Sequence, residues 1–99
     1  MIRHIVLFRL AAEDDTQRRE DAAEIASRLE ALHTQIPGIE SIRVDRDLGL
    51  VDGHWDLALV SEHEDNAALE AYQVHPAHKA VFGFISSVVS DRAVVDYSV

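Results

Sequence analysis

Ile2-Arg3-His4-Ile5-Val6-Leu7-Phe8-Arg9-Leu10 alternates with period two, setting His4, Val6, Phe8 and Leu10 on one side and Arg3, Ile5, Leu7 and Arg9 on the other. Period two is the signature of a strand. This strand is unusual because Ile5 and Leu7 make its second face apolar as well. The same two-sidedness recurs further along the chain. Ala58 and Val60 stand opposite Trp55, Leu57 and Leu59, and Ala93, Val95 and Tyr97 stand opposite Val94. The sheet these strands build therefore needs a cover on both faces.

Between the strands the periodicity changes to that of helices. Ala22, Ile25, Leu29, Leu32 and Ile36 recur at spacings of three and four, which marks one helical face. Asp14 with Gln17 three residues later resembles a capping box, and Glu24 and Arg28 form a well-oriented i,i+4 pair. Pro37-Gly38 ends the helix and turns the chain into a second strand, expected over 39–48 with Ile42 and Val44 inward. A loop over 49–54 leads to a third strand over 55–62. A second helical region begins near Asp65 or Asn66 and carries Leu69 and Tyr72. Pro76 interrupts it and suits the first position of a new helix capped by His75. Residues 92–99 are expected to close the chain as a fourth strand.

Strand-helix-strand-strand-helix-strand is the ferredoxin-like α+β order, a four-stranded antiparallel sheet in one domain over residues 1–99. Right-handed crossovers put the helices on one face of that sheet. Two helices leave the other apolar face bare, which is rare on a monomer. A second copy of the same sheet is the economical cover, so the chain is expected to be a homodimer forming an α+β barrel.

Charge and composition narrow the partners. Eighteen acidic residues against nine basic ones leave a formal charge of −9. That field disfavours nucleic acid and anionic membrane surfaces. No cysteine is present, so disulfides, thiolate metal sites and cysteine nucleophiles are absent. The N-terminal apolar run is too short for a signal segment, and a cytoplasmic location follows by default. Glycine-rich phosphate loops, nucleophile elbows and paired metalloprotease histidines are also missing.

The most distinctive segment is Tyr72-Gln73-Val74-His75-Pro76-Ala77-His78. On a helical wheel Phe82, Ile85 and Val89 fall within roughly 40° of His78, whereas Lys79 belongs to the polar arc. His78 thus points among apolar residues one turn from a helix start. Such a histidine either bonds a backbone carbonyl within the core or serves as a neutral general base, held unprotonated by desolvation. Tyr72 could then orient a substrate carbonyl. A continuous helix would hold the two side chains roughly 240° apart, so they converge only through the Pro76 break. His75 and His78 at i,i+3, with His4, make a poor ligand set, and no metal or other cofactor is expected. His33, His54 and His63 are expected on the surface, and Trp55 in the core.

Met1-Ile2-Arg3-His4-Ile5-Val6-Leu7-Phe8, Ile36-Pro37-Gly38-Ile39, His75-Pro76-Ala77-His78 and Val95-Asp96-Tyr97 together resemble the stress-responsive dimeric α/β barrel (Dabb) family, along nearly the whole chain and in order. The resemblance implies a ferredoxin-like protomer that dimerises sheet on sheet. The family includes plant olivetolic acid cyclase, a cofactor-free enzyme that folds a linear polyketide by aldol condensation. Its catalytic tyrosine and histidine match Tyr72 and His78 here. Carried across, its cavity between sheet and helices would be lined by His4, Val6, Phe8, Ile25, Leu29, Leu59, Phe82 and Ile85. This chain departs from the cyclase at Leu57, where the cyclase has a pocket histidine, and at Ile25 and Leu29, where it has larger aromatic residues. The resemblance therefore implies a different substrate. The readings it leaves are a protein binding a small apolar or phenolic molecule, a cyclase-like enzyme with His78 as base and Tyr72 on the carbonyl, and a cofactor-free quinol monooxygenase.

Overall fold

The N-terminal alternation becomes strand β1 (Ile2–Leu10) in a computed structural model that describes all 99 residues, Met1–Val99. Helix α1 (Asp15–Ala31) follows and tightens into a 3-10 turn (Leu32–Thr34). Strands β2 (Ile39–Arg46) and β3 (Leu57–His63), helices α2 (Asn66–Val74) and α3 (Pro76–Val88), and strand β4 (Val89–Ser98) complete the chain. The sheet order is β2-β3-β1-β4, and every neighbouring pair is antiparallel. This is the ferredoxin-like α+β fold expected from the element order.

Local chemistry explains where the helices begin and stop. Asp14 accepts the Gln17 N–H at 2.9 Å, satisfying one free donor of the first turn of α1. The Gln17 side chain does not reach back to close a capping box; it donates to Asp21 at 2.8 Å. Asp65 caps α2 by accepting the Ala68 N–H at 2.8 Å. His75 ends α2 in an extended conformation and caps α3, its Nδ1 accepting the Ala77 N–H at 3.0 Å, with Pro76 opening the new helix. Gly38 takes a φ of +87°, where only glycine turns the chain without a Cβ clash.

Helix α1 turns Ala22, Ile25 and Leu29 onto the sheet, where Val6, Phe8, Leu57 and Leu59 meet them in one buried core. Apart from the small Ala22, each such side chain contributes roughly 1.5–3 kcal/mol on burial. Glu24 and Arg28 pair at 2.7 Å on the outer side of α1, and the Arg28 guanidinium lies 4.0 Å over the Phe84 ring, joining α1 to α3. At the far end of β1, Asp56 accepts the Leu10 N–H at 2.8 Å and pairs with Arg18 at 2.5 Å.

The structure shifts some expected boundaries. β2 ends at Arg46 and β3 begins at Leu57, so Trp55 precedes the strand; it is half-buried, with Arg9 stacked 4.2 Å over its ring, rather than in the core. β4 begins at Val89 with no loop after α3, because Val89 already pairs with Leu10. His63 is the clearest correction. Expected on the surface, it is fully buried, since it continues the inward phase of Leu57, Leu59 and Ser61. His33 and His54 are exposed as expected.

On the side away from the helices, Ile5, Leu7, Ala58 and Val60 are only half-buried. Val95 on the same face is 59% exposed. No helix of the protein is long and apolar enough to cross a membrane.

Candidate functional site

Helices α1, α2 and α3 do not cover the sheet evenly. Beside α3, over β1 and β4, they leave a cavity of about 470 Å³, within the range of small-molecule sites. Its floor is apolar and buried: Val6, Phe8, Leu29, Leu59 and Ile85. Its mouth is formed by the exposed residues Phe82, Val94, Lys79 and Arg92. His4, His78 and Gln73 complete the wall.

Strand register places the polar groups. His4 pairs with Asp96 across β1 and β4, and its Nδ1 lies 2.5 Å from the Asp96 carboxylate. A carboxylate acceptor beside Nδ1 makes that nitrogen the donor. Val6 pairs with Val94 and Phe8 with Arg92, so β4 contributes two more side chains to the same face.

His78 reaches the cavity from the first turn of α3, stacked at 6.4 Å on Phe82 one turn later. Burial holds its proton affinity below that of an ordinary histidine, and the charges of His4 and Arg92 act in the same direction. Hydrogen bonding to the Gln73 backbone opposes them. A neutral imidazole on the wall of an apolar cavity can accept a proton at neutral pH.

Behind His78 lies a buried aromatic cluster. The Tyr72 ring sits 4.6 Å from that of His78 and 4.8 Å from that of His63, and His4 stands 6.2 Å from both Tyr72 and His63. His63 Nε2 bonds the Ser61 hydroxyl at 2.8 Å. Its Nδ1 and the Tyr72 hydroxyl are buried without a partner. Burial is the main cause that pushes His63 down to about 4, and that raises the Tyr72 phenol well above its ordinary value.

Of the residues expected at the site, His78, His4, Val6, Phe8, Leu29, Leu59, Phe82 and Ile85 line the cavity. Ile25 and Tyr72 do not; both are fully buried and have no surface to present to it. Tyr72 reaches the site only through its ring contact with His78. Sequence reasoning missed Gln73, Lys79, Arg92 and Val94. Extending the alternation of β4 back from Asp96 through Val94 to Arg92 would have found two of them. No three histidine or acidic side chains converge as a metal site.

The family described as Stress responsive A/B Barrel Domain matches residues 2–99. A dimeric protein of unknown function and ferredoxin-like fold from Bacteroides fragilis is 29% identical, with a TM-score of 0.87 over 99% of this chain and 95% of that one. A dimeric ferredoxin-like protein of unknown function from Thermobifida fusca is 32% identical, with a TM-score of 0.83 over 99% and 90%. The hydroxynitrile lyase from Passiflora edulis shares the fold at 17% identity, with a TM-score of 0.80 over 97% and 90%. No curated protein matches the chain in sequence.

Proposed function

The chain belongs to the stress-responsive A/B barrel (Dabb) domain family, and on that premise we propose that it is a homodimer whose protomers each bind a small, largely apolar molecule between sheet and helices. The observation that carries this reading is the cavity itself, about 470 Å³ with a floor of five buried apolar side chains. Floor residues that exclude water favour an apolar guest, while the histidines on the wall offer a few orienting polar contacts. The half-buried outer sheet face, and the dimeric state of the two bacterial proteins of similar sequence, support the homodimer.

The test is binding of a neutral, solvent-sensitive dye, N-phenyl-1-naphthylamine. Saturable fluorescence at one dye per protomer is expected, and Val94→Trp, which crowds the mouth, should weaken it. Absence of saturation, or binding indifferent to Val94→Trp, would count against this cavity as the site.

A second reading is turnover: cofactor-free, aldol-type cyclisation of a polyketide-like substrate, as in olivetolic acid cyclase. It draws support from His78, which is on the wall and held neutral by burial. The role of Tyr72 on a substrate carbonyl has weaker support, because its hydroxyl is buried off the wall. Under this reading His78→Ala abolishes activity in a folded dimer. Unchanged turnover in Tyr72→Phe would limit Tyr72 to packing. Quinol oxygenation is a third reading, and no residue on the wall favours it.

A further inference from the structure

We infer that the cavity takes an organic carboxylate, its apolar body on the floor and its anionic head held at the mouth by Lys79 and Arg92. This inference rests on the small-molecule reading above and specifies its ligand.

The first observation is the charge of the wall. The protein carries 18 acidic residues against 9 basic ones, yet no aspartate or glutamate lines the cavity. Two cations do, and Lys79 is the only lysine in the chain. The site is thus locally opposite in sign to the molecule, an arrangement that selects anions from solution.

The second observation is that these two cations are free to serve a ligand. Arg3, Arg18, Arg28 and Arg43 each pair with an acidic side chain; Lys79 and Arg92 form no ion pair, a property shared with Arg9, Arg19 and Arg46, but only Lys79 and Arg92 stand on the cavity wall. On the same face of β4 the next carboxylate, Asp96, is taken by His4, and the adjacent Asp91 accepts the backbone N–H of Arg92 and makes no ion pair with its guanidinium. Arg92 is also held in place: its guanidinium lies 4.8 Å over the Phe82 ring at the mouth. A planar guanidinium fixed by stacking still presents its N–H fork, which matches the two oxygens of a carboxylate. Its charge also lowers the proton affinity of His78, as expected if it faces the cavity.

The third is polarity along the cavity. Cations and exposed apolar side chains stand at the mouth, and the floor below carries no charged side chain. A molecule with one anionic end and an apolar remainder satisfies both. A dianion or a sugar would leave polar groups against Leu29, Leu59 and Ile85, at a cost in desolvation.

The probes are 2-naphthoate and its neutral isostere 2-naphthamide, titrated calorimetrically into the dimer. The naphthoate should bind at least about tenfold more tightly at low salt, and the gap should narrow as salt screens the exposed cations. In the double variant Lys79→Met, Arg92→Met the two affinities should converge, with circular dichroism and light scattering reporting that fold and dimer persist. If only one single variant folds, convergence by at least about threefold is expected from it alone. Equal binding of both probes to the wild type would overturn the carboxylate inference and leave the small-molecule reading standing. A preference that survives the double variant would overturn the assignment to Lys79 and Arg92. If neither probe binds, the small-molecule reading itself loses its support and the inference falls with it.

Discussion

Tyr72 packs its ring 4.6 Å from that of His78 at an angle of 61°, yet its hydroxyl is buried without a hydrogen-bond partner and lies off the cavity wall. A desolvated, unpaired hydroxyl costs stability that a phenyl ring of the same shape does not. Tyr72→Phe should therefore leave the melting temperature unchanged or raise it, by up to about 1 kcal/mol of stability. Thermal unfolding of the two proteins side by side checks this. A clear loss would mean that the hydroxyl has a buried partner, such as a water.

His63 makes stability depend on pH. Its folded value of about 4 lies below the ordinary 6.5, so the unfolded chain binds more protons between those limits. Stability is then fully present above about 6.5 and is lost as pH falls toward 4, by roughly 2–3 kcal/mol from this group. His78 is shifted in the same direction and adds to the slope. Unfolding free energies measured between pH 7 and 4 should fall, and His63→Phe should flatten much of that fall. An equally steep profile in the variant would place the titration elsewhere.

The half-buried outer sheet face predicts association. Ile5, Leu7, Val60 and Val95 together present an apolar surface that a monomer would leave in water. Light scattering at micromolar concentration should give about twice the 11.0 kDa of one chain. Leu7→Glu puts a charge at the middle of that face and should unfold the protein more readily than it yields stable monomers, since a domain this small has little stability to spare. A wild-type species of 11.0 kDa at that concentration would end the homodimer reading.

Gly38 holds the turn between the 3-10 segment and β2 at a φ of +87°. A Cβ there would also come within 3.2 Å of the Ala68 Cβ. Gly38→Ala should cost about 1–2 kcal/mol through the left-handed backbone alone, with some addition from crowding against α2. Denaturant titration measures it, and a neutral result would show that the turn can relax into another conformation.

Much of the fold was legible along the chain because its signals are local. Alternation in 2–10 marks β1, and Pro37-Gly38 and Pro76 punctuate the helices. The two-faced strands by their composition alone require a cover on each side. The apolar residues of the cavity floor were legible for the same reason, since period two gives Val6 and Phe8 a common face. What local pattern conveys is relative phase: which residues share a face, but not which face is sealed, nor what meets it. His63 reads as a polar strand end until α2 and the helix side of the sheet close over it. Tyr72 reads as a partner of His78 facing a ligand, and tertiary packing buries its hydroxyl behind that ring instead. Lys79 falls on a polar helical arc and Arg92 on the early part of β4, and neither position alone suggests a site. Only the antiparallel register of β4 on β1 and the seating of α3 bring them to one cavity mouth, because contacts between distant segments are set by how the elements pack and not by the periodicity within each.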